Sequence, residues 1–232
     1  MLLLAVETST HTATLCLSED DRVIAERIPE AEGRRHAQTL VQEVSKLLSE
    51  HGYSSASPQA VAVSVGPGSF TGLRVGVVFA KTYAWAGGIP LLAVDTLQAI
   101  ACRLTPQDLP EGTALRVQVI SDAQRNEVFV GDYEWDPSVG IWMRTGEVRI
   151  ASVAELGGCA VIVGPAVARH REQLEQSGRF LKCLELSPRA REVGVVGRYL
   201  LGRGELASVM ELEPVYIRPS YAEEKRGVGT PS

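Results

Sequence analysis

The chain has 232 residues, 45% hydrophobic and 22% charged, with a formal net charge of −5. That length accommodates one large or two small domains with a sizeable core, and the acidic balance argues against a free-standing nucleic-acid binder, which carries a basic face. No apolar run approaches the roughly 20 residues that span a bilayer, and the opening MLLLAVETS has no basic leader, so it reads as the first strand of a cytoplasmic protein.

Residues 2–7, 12–18 and 22–28 have the apolar, β-branched character of three successive strands separated by short polar turns. The clearest helix follows over 34–51, where Ala37, Leu40, Val41, Val44, Leu47 and Leu48 recur at the spacing of one helix face. A buried strand is expected at 60–65, a helix at 71–86, a strand at 90–94 and a helix from Thr96 to Arg103. The segment TPQDLPEG at 105–112 is the best linker, with two prolines and a glycine. Strands are expected at 115–121, 126–134, 141–150, 160–163 and 181–186, with helices at 166–177 and 189–202. This order predicts an α/β protein with a lobe over 1–104, a second over 105–218, and a loose tail at 219–232. Cys16, Cys102, Cys159 and Cys183 lie far apart with no Cys-x-x-Cys pair, so they read as buried thiols.

The stretch VSVGPGSFTG at 63–72 joins a strand to a helix through glycines 66, 68 and 72. A Walker loop needs lysine and a hydroxyl after its last glycine, whereas Leu73 and Arg74 stand there. The dinucleotide fingerprint needs Gly-x-Gly-x-x-Gly, and the spacing here is one residue longer. The local reading is a tight turn, with Pro67 at the corner and a helix N-terminus facing its mouth. Behind it Gly72, Gly76, Ala80, Ala84 and Gly88 recur every four residues. Small residues at that spacing let another element approach closely, either within the chain or at a subunit contact.

The segments AVETSTHTATLCL, SVGPGSFTGLRVGVVFAK, IPLLAVDTLQAIA, SDAQRNEVFVGDY and EPVYIR together resemble the TsaB (YeaZ) family, most specifically in GPGSFTGLRVG. The resemblance implies the ASKHA fold, that of actin-like ATPases and sugar kinases, and a role in making threonylcarbamoyladenosine in tRNA. It also implies pairing with a catalytic paralogue, TsaD, and action beside an ATPase, TsaE, with tRNA met only through the complex. TsaD carries a His-x-x-x-His metal pair after the corresponding strand. Here Val94-Asp95-Thr96-Leu97-Gln98-Ala99 holds no histidine, and His11, His36, His51 and His170 supply no such pair. The expectation is therefore a non-catalytic scaffold with no cofactor, no metal and no catalytic residue of its own.

Glu7 and Thr8 occupy the turn where ASKHA ATPases place an acid near phosphate and magnesium, so with Gly66 and Gly68 they are the weak nucleotide candidates. Asp122 and Arg125, in the SDAQRNEVF turn, read as an ion pair shaping a hairpin; the family's Asp-Ala-Arg is departed from at Gln124. The expected partner surface comprises His36, Leu40, Val44 and Leu47 on the first helix, and Gly72, Gly76, Ala80, Tyr83 and Ala84 on the second. The same surface would give a homodimer in isolation by pseudo-symmetry. On this reading Ala80→Arg or Leu40→Glu blocks association and leaves the monomer folded. The alternative is a stand-alone ATP-dependent kinase or nucleotide hydrolase, with Glu7, the glycine loop and Asp122 around the nucleotide.

Overall fold

The computed structural model describes residues 1–28 and 36–218, the backbone alone over 36–38. β1 (Leu2–Glu7), β2 (Thr14–Glu19) and β3 (Arg22–Arg27) form an antiparallel meander. α1 (His36–Glu50), β4 (Ala60–Gly66), α2 (Phe70–Gly87) and β5 (Leu91–Asp95) follow, and the five strands order as β3-β2-β1-β4-β5. β1 lies between antiparallel β2 and parallel β4 and is buried along its whole length. That is why LLLAVE is a continuous apolar run ending in an acid rather than an alternating one.

Alternation persists in where the side chains go. Leu2, Leu4 and Val6 face α1 and α2 in one core, while Leu3 and Ala5 join Ala62, Leu92, Val193 and Val196 in another. α3 (Thr96–Ala101) lies between this sheet and the second one, with Leu97 and Ile100 packed among Val117, Val119, Tyr133 and Trp142. The second sheet is built from β6 (Arg116–Asp122), β7 (Glu127–Asp136), β8 (Ile141–Arg144), β9 (Arg149–Ser152), β10 (Val161–Val163) and β11 (Lys182–Leu184). Its order is β11-β10-β6-β7-β8, with β9 on the other half of β7. α4 (Val167–Gln176) covers its outer face through Val167 and Leu174.

Two expectations are corrected. The strand expected over 141–150 is two strands, because the chain breaks at Thr145-Gly146, where the Thr145 amide turns to donate to the Asp132 carbonyl at 2.9 Å. The lobe expected over 105–218 does not extend to its C-terminal end. α5 (Ala190–Gly202) crosses back and packs on β1, β2, β4 and β5. The reason is its inward face: Gly197 sits against Ala62, and Val193 and Val196 fill the second core of the first sheet. The tail at 219–232 and the arginines at 34 and 35 lie outside the described residues.

Side chains from different parts of the chain tie the sheets together. The Tyr133 hydroxyl donates to Asp95 Oδ2 at 2.9 Å, and Arg144 Nη1 reaches the same oxygen at 3.2 Å. Gln98 Nε2 donates to the Trp142 carbonyl at 2.9 Å, and Trp142 Nε1 to that of Leu104 at 2.8 Å. Buried hydrogen bonds that join otherwise separate elements fix their relative placement.

Candidate functional site

Between the sheets lies a cleft of about 1280 Å³, bordered by Ser9–Thr12, the Pro67–Thr71 turn, the Ser121–Arg125 turn, Ser187–Arg189 and the segment Val215–Arg218. Of the four nucleotide candidates only Gly68 borders it. Glu7 and Thr8 are wholly buried. Glu7 Oε1 accepts from the Ser9 amide, Oε2 has no partner, and burial drives the carboxyl above its ordinary range. A carboxyl buried in this way, its charged form disfavoured and out of contact with the cleft, is poorly placed to hold magnesium.

The Thr8 hydroxyl donates to the Gly72 carbonyl at 2.8 Å, and the Gly66 amide donates to Thr96 Oγ1 at 3.1 Å. The Gly68 Cα packs on the Ser9 carbonyl, and the Ser69 amide donates to that oxygen at 2.7 Å. Polar groups that phosphates would need are thus used to bind β1, β4 and α2 to one another. Ser69 caps α2, accepting from the Gly72 amide at 3.3 Å, and Gly88 ends it in the left-handed region.

On the opposite rim, the Asp122 ion pair is made with Arg169 of α4, whose Nη1 lies 3.2 Å from each carboxylate oxygen. The expected hairpin role for Asp122 survives in one contact, its acceptance from the Gln124 amide at 2.8 Å. Gln124, Arg125 and Asn126 all have positive φ, at 64°, 52° and 61°. Three such non-glycine residues in succession are costly and need outside support. Arg169 Nη2 gives part of it, donating to Asn126 Oδ1 at 2.9 Å.

The stretch Val94–Ala99, expected from the resemblance to lack a metal pair, makes structural contacts. Asp95 caps α3 by accepting from the Leu97 amide at 2.8 Å, and Tyr133 and Arg144 hold its other oxygen. Burial pushes the Asp95 carboxyl up, and these hydrogen bonds and the arginine oppose that rise. Among the described residues, no three of His, Cys, Asp and Glu gather where an ion would bind. Cys16, Cys102, Cys159 and Cys183 are free thiols; burial lifts Cys16 and Cys102 to about 12, which leaves both protonated and unreactive.

The expected partner surface needs the largest correction. Leu40, Val44 and Leu47 of α1 and Gly72, Gly76, Ala80 and Ala84 of α2 are buried against the chain's own first sheet. A Cβ at Gly72 would overlap the Thr8 carbonyl, and one at Gly76 the Thr8 hydroxyl. The small-residue stripe therefore admits β1, not a partner helix. Tyr83 is half-buried, with its hydroxyl donating to the Ser55 carbonyl at 2.6 Å. The side chain of His36 lies outside the described residues. What the two helices turn outward is different: Val41 is 66% exposed, Val78 62% and Trp85 72%. Val41, expected on the apolar face of α1 with Leu40 and Val44, instead faces outward, and with Val78 and Trp85 it forms an exposed apolar signal that periodicity alone does not separate from the core face.

Comparison with known proteins gives these features a family. Residues 22–181 match the family model described as TsaD, tRNA N6-adenosine threonylcarbamoyltransferase. The Escherichia coli protein named tRNA threonylcarbamoyladenosine biosynthesis protein TsaB is 30% identical, across 97% of this chain and 98% of its own. The chain belongs to the TsaB/YeaZ family. The TsaB of Bacillus subtilis is 28% identical over 97% of each chain. The solved structure of YeaZ from Pseudomonas aeruginosa superposes with a TM-score of 0.79 at 28% identity, covering 93% of this chain and 99% of that one. The two mixed sheets with flanking helices are the ASKHA fold that the resemblance implied. No helix among the described residues is long and apolar enough to cross a membrane.

Proposed function

We propose that this TsaB-family chain acts in the cytoplasm as a non-catalytic scaffold subunit in the synthesis of threonylcarbamoyladenosine in tRNA. It pairs with TsaD, works with TsaE, and meets tRNA only through the complex. The observation carrying this reading is the exposed face of Val41, Val78 and Trp85 on α1 and α2, in a chain whose full-length relatives are named for that pathway. Because residues 22–181 match the TsaD model, a TsaD partner shares this fold. Two equivalent helix pairs then pack face to face about a pseudo-twofold axis, and two copies of this chain do so when TsaD is absent.

The stand-alone kinase or hydrolase reading finds little support, because Glu7 is buried away from the cleft, where its charged form is disfavoured, and Asp122 is paired to Arg169. The test is co-purification with TsaD, followed by reconstituted threonylcarbamoyl transfer. The purified chain alone is expected to give no product, and the pair is expected to co-elute. Turnover without TsaD, or tight calorimetric binding of magnesium-ATP by this chain alone, overturns the scaffold reading.

A further inference from the structure

Beyond α5 the chain runs from Arg203 to Arg218 with no helix, no strand and no fully buried residue, yet it spans the molecule. At the far end of the first sheet the Ala207 amide donates to the Leu91 carbonyl at 2.9 Å. Along α2, Lys81 Nζ donates to the carbonyls of Met210 and Leu212 at 3.1 and 2.9 Å. At the cleft the Val215 amide donates to the Val65 carbonyl at 2.7 Å. A Cβ on Gly66 would come within 2.8 Å of the Val215 carbonyl oxygen, so the segment seats directly on bare backbone there. The Tyr216 ring lies 4.7 Å from that of Phe70, and its hydroxyl accepts from Arg74 Nε at 3.0 Å.

Arg218 then reaches the other rim. Its Nη1 donates to the Ala123 carbonyl at 2.6 Å, and its Nη2 pairs with Glu127. These contacts bracket Gln124, Arg125 and Asn126, the three residues with positive φ, so Arg218 supports that turn alongside Arg169. Ala207, Val209 and Leu212 pack on the core of the first sheet, and Ile217 on that of the second. One irregular segment is thus fastened to both halves across the cleft mouth. Its fastenings are isolated hydrogen bonds, one ring contact, one ion pair and four side chains that are only partly buried, Ala207, Val209, Leu212 and Ile217. Segments held by few buried apolar contacts open at a much lower free energy than the strands they cover.

We infer that residues 206–218 form an interlobe latch that opens as one unit while both sheets stay folded. Opening breaks the Val65–Val215 bond, the Phe70–Tyr216–Arg74 contact and the Arg218 bonds together, because all three lie within four consecutive residues that no helix or strand interrupts. This holds whether or not the chain pairs with TsaD.

Native-state amide exchange on the full chain tests it. The amides of Ala207, Leu212 and Val215 are expected to exchange at one common rate, far faster than those of Leu4 and Val63. Arg218→Ala is expected to speed the group roughly tenfold, the scale of losing a charged hydrogen-bond pair. Leu4 and Val63 are expected to be unaffected, and Arg218→Lys to recover part of the loss, since it keeps the charge but not the fork. The latch is refuted if the three amides exchange with Leu4, or respond separately to Arg218→Ala. Exchange in the wild type as fast as in an unstructured peptide also refutes it, as does Arg218→Ala speeding Leu4 equally.

Discussion

The two faces of α2 differ as sharply as any two regions of the molecule. Inward, Gly72, Gly76, Ala80 and Ala84 bring the helix against β1 and β4 so closely that Thr8 bonds its first turn. Outward, Val78 and Trp85 stand in solvent with apolar surface uncovered. Tight packing makes the inward face a matter of folding, and the outward face stays exposed. A single four-residue period therefore marks the face that folding uses and is silent about the other.

The largest expected effect comes from the inward face. Gly72→Ala places a methyl on the Thr8 carbonyl, and overpacking of this kind costs about 3 kcal/mol when neither backbone gives way. A fall in the urea midpoint at unchanged slope checks it. Ala80→Arg and Leu40→Glu, expected from sequence to spare the monomer, put a charge where the side chain is 0% and 2% exposed. Neither is expected to fold cooperatively, because an unpaired buried charge costs several kcal/mol; circular dichroism melts decide this before any binding assay.

Next in size are the outward changes. Val78→Glu and Trp85→Asp are expected to alter stability by no more than about 0.5 kcal/mol. Both are expected to weaken association with TsaD at least tenfold, as for a tryptophan at the centre of a contact. Wild-type affinity for both in analytical ultracentrifugation or calorimetry removes α2 from the docking surface.

The smallest effect is electrostatic and sits behind the helix. Burial raises the Glu7 carboxyl above 4.5, its ordinary value, so the folded chain holds that proton more tightly than the unfolded chain does. For this group, stability is complete below 4.5 and declines as pH rises from there through the raised folded value. Glu7→Gln keeps an acceptor for the Ser9 amide and cannot ionise. Its stability relative to wild type is expected to improve steadily as pH is raised through that window, measured by denaturant titration at several pH values. A flat difference contradicts the neutral buried acid.

Much of the scaffold was legible along the chain. The α1 stripe, the three opening strands and the helix after the glycine turn depend on local period and turn chemistry, which neighbours in sequence determine. The TsaB resemblance was carried by SVGPGSFTGLRVG, whose glycines are needed by the close approach of Thr8 and Ser9. What was read wrongly involved long sequence separations. Thr8 meets Gly72 and Asp122 meets Arg169, and no local pattern announces either pair. The acid at residue 7 looked chemical because strand-end acids often are; only the fold shows that it is buried away from the cleft.

By itself, the sequence determined that this is an α/β chain of the TsaB/YeaZ family with amphipathic helices over a largely buried first sheet. Hydrophobic period and glycine placement are local and survive in one dimension. Tertiary structure alone decided which side of α1 and α2 is free, that α5 returns to the first sheet, and that residues 206–218 fasten the two halves across the cleft. Each depends on which apolar surfaces are nearest in space once the sheets form, and distant segments compete for those surfaces without leaving a periodic trace.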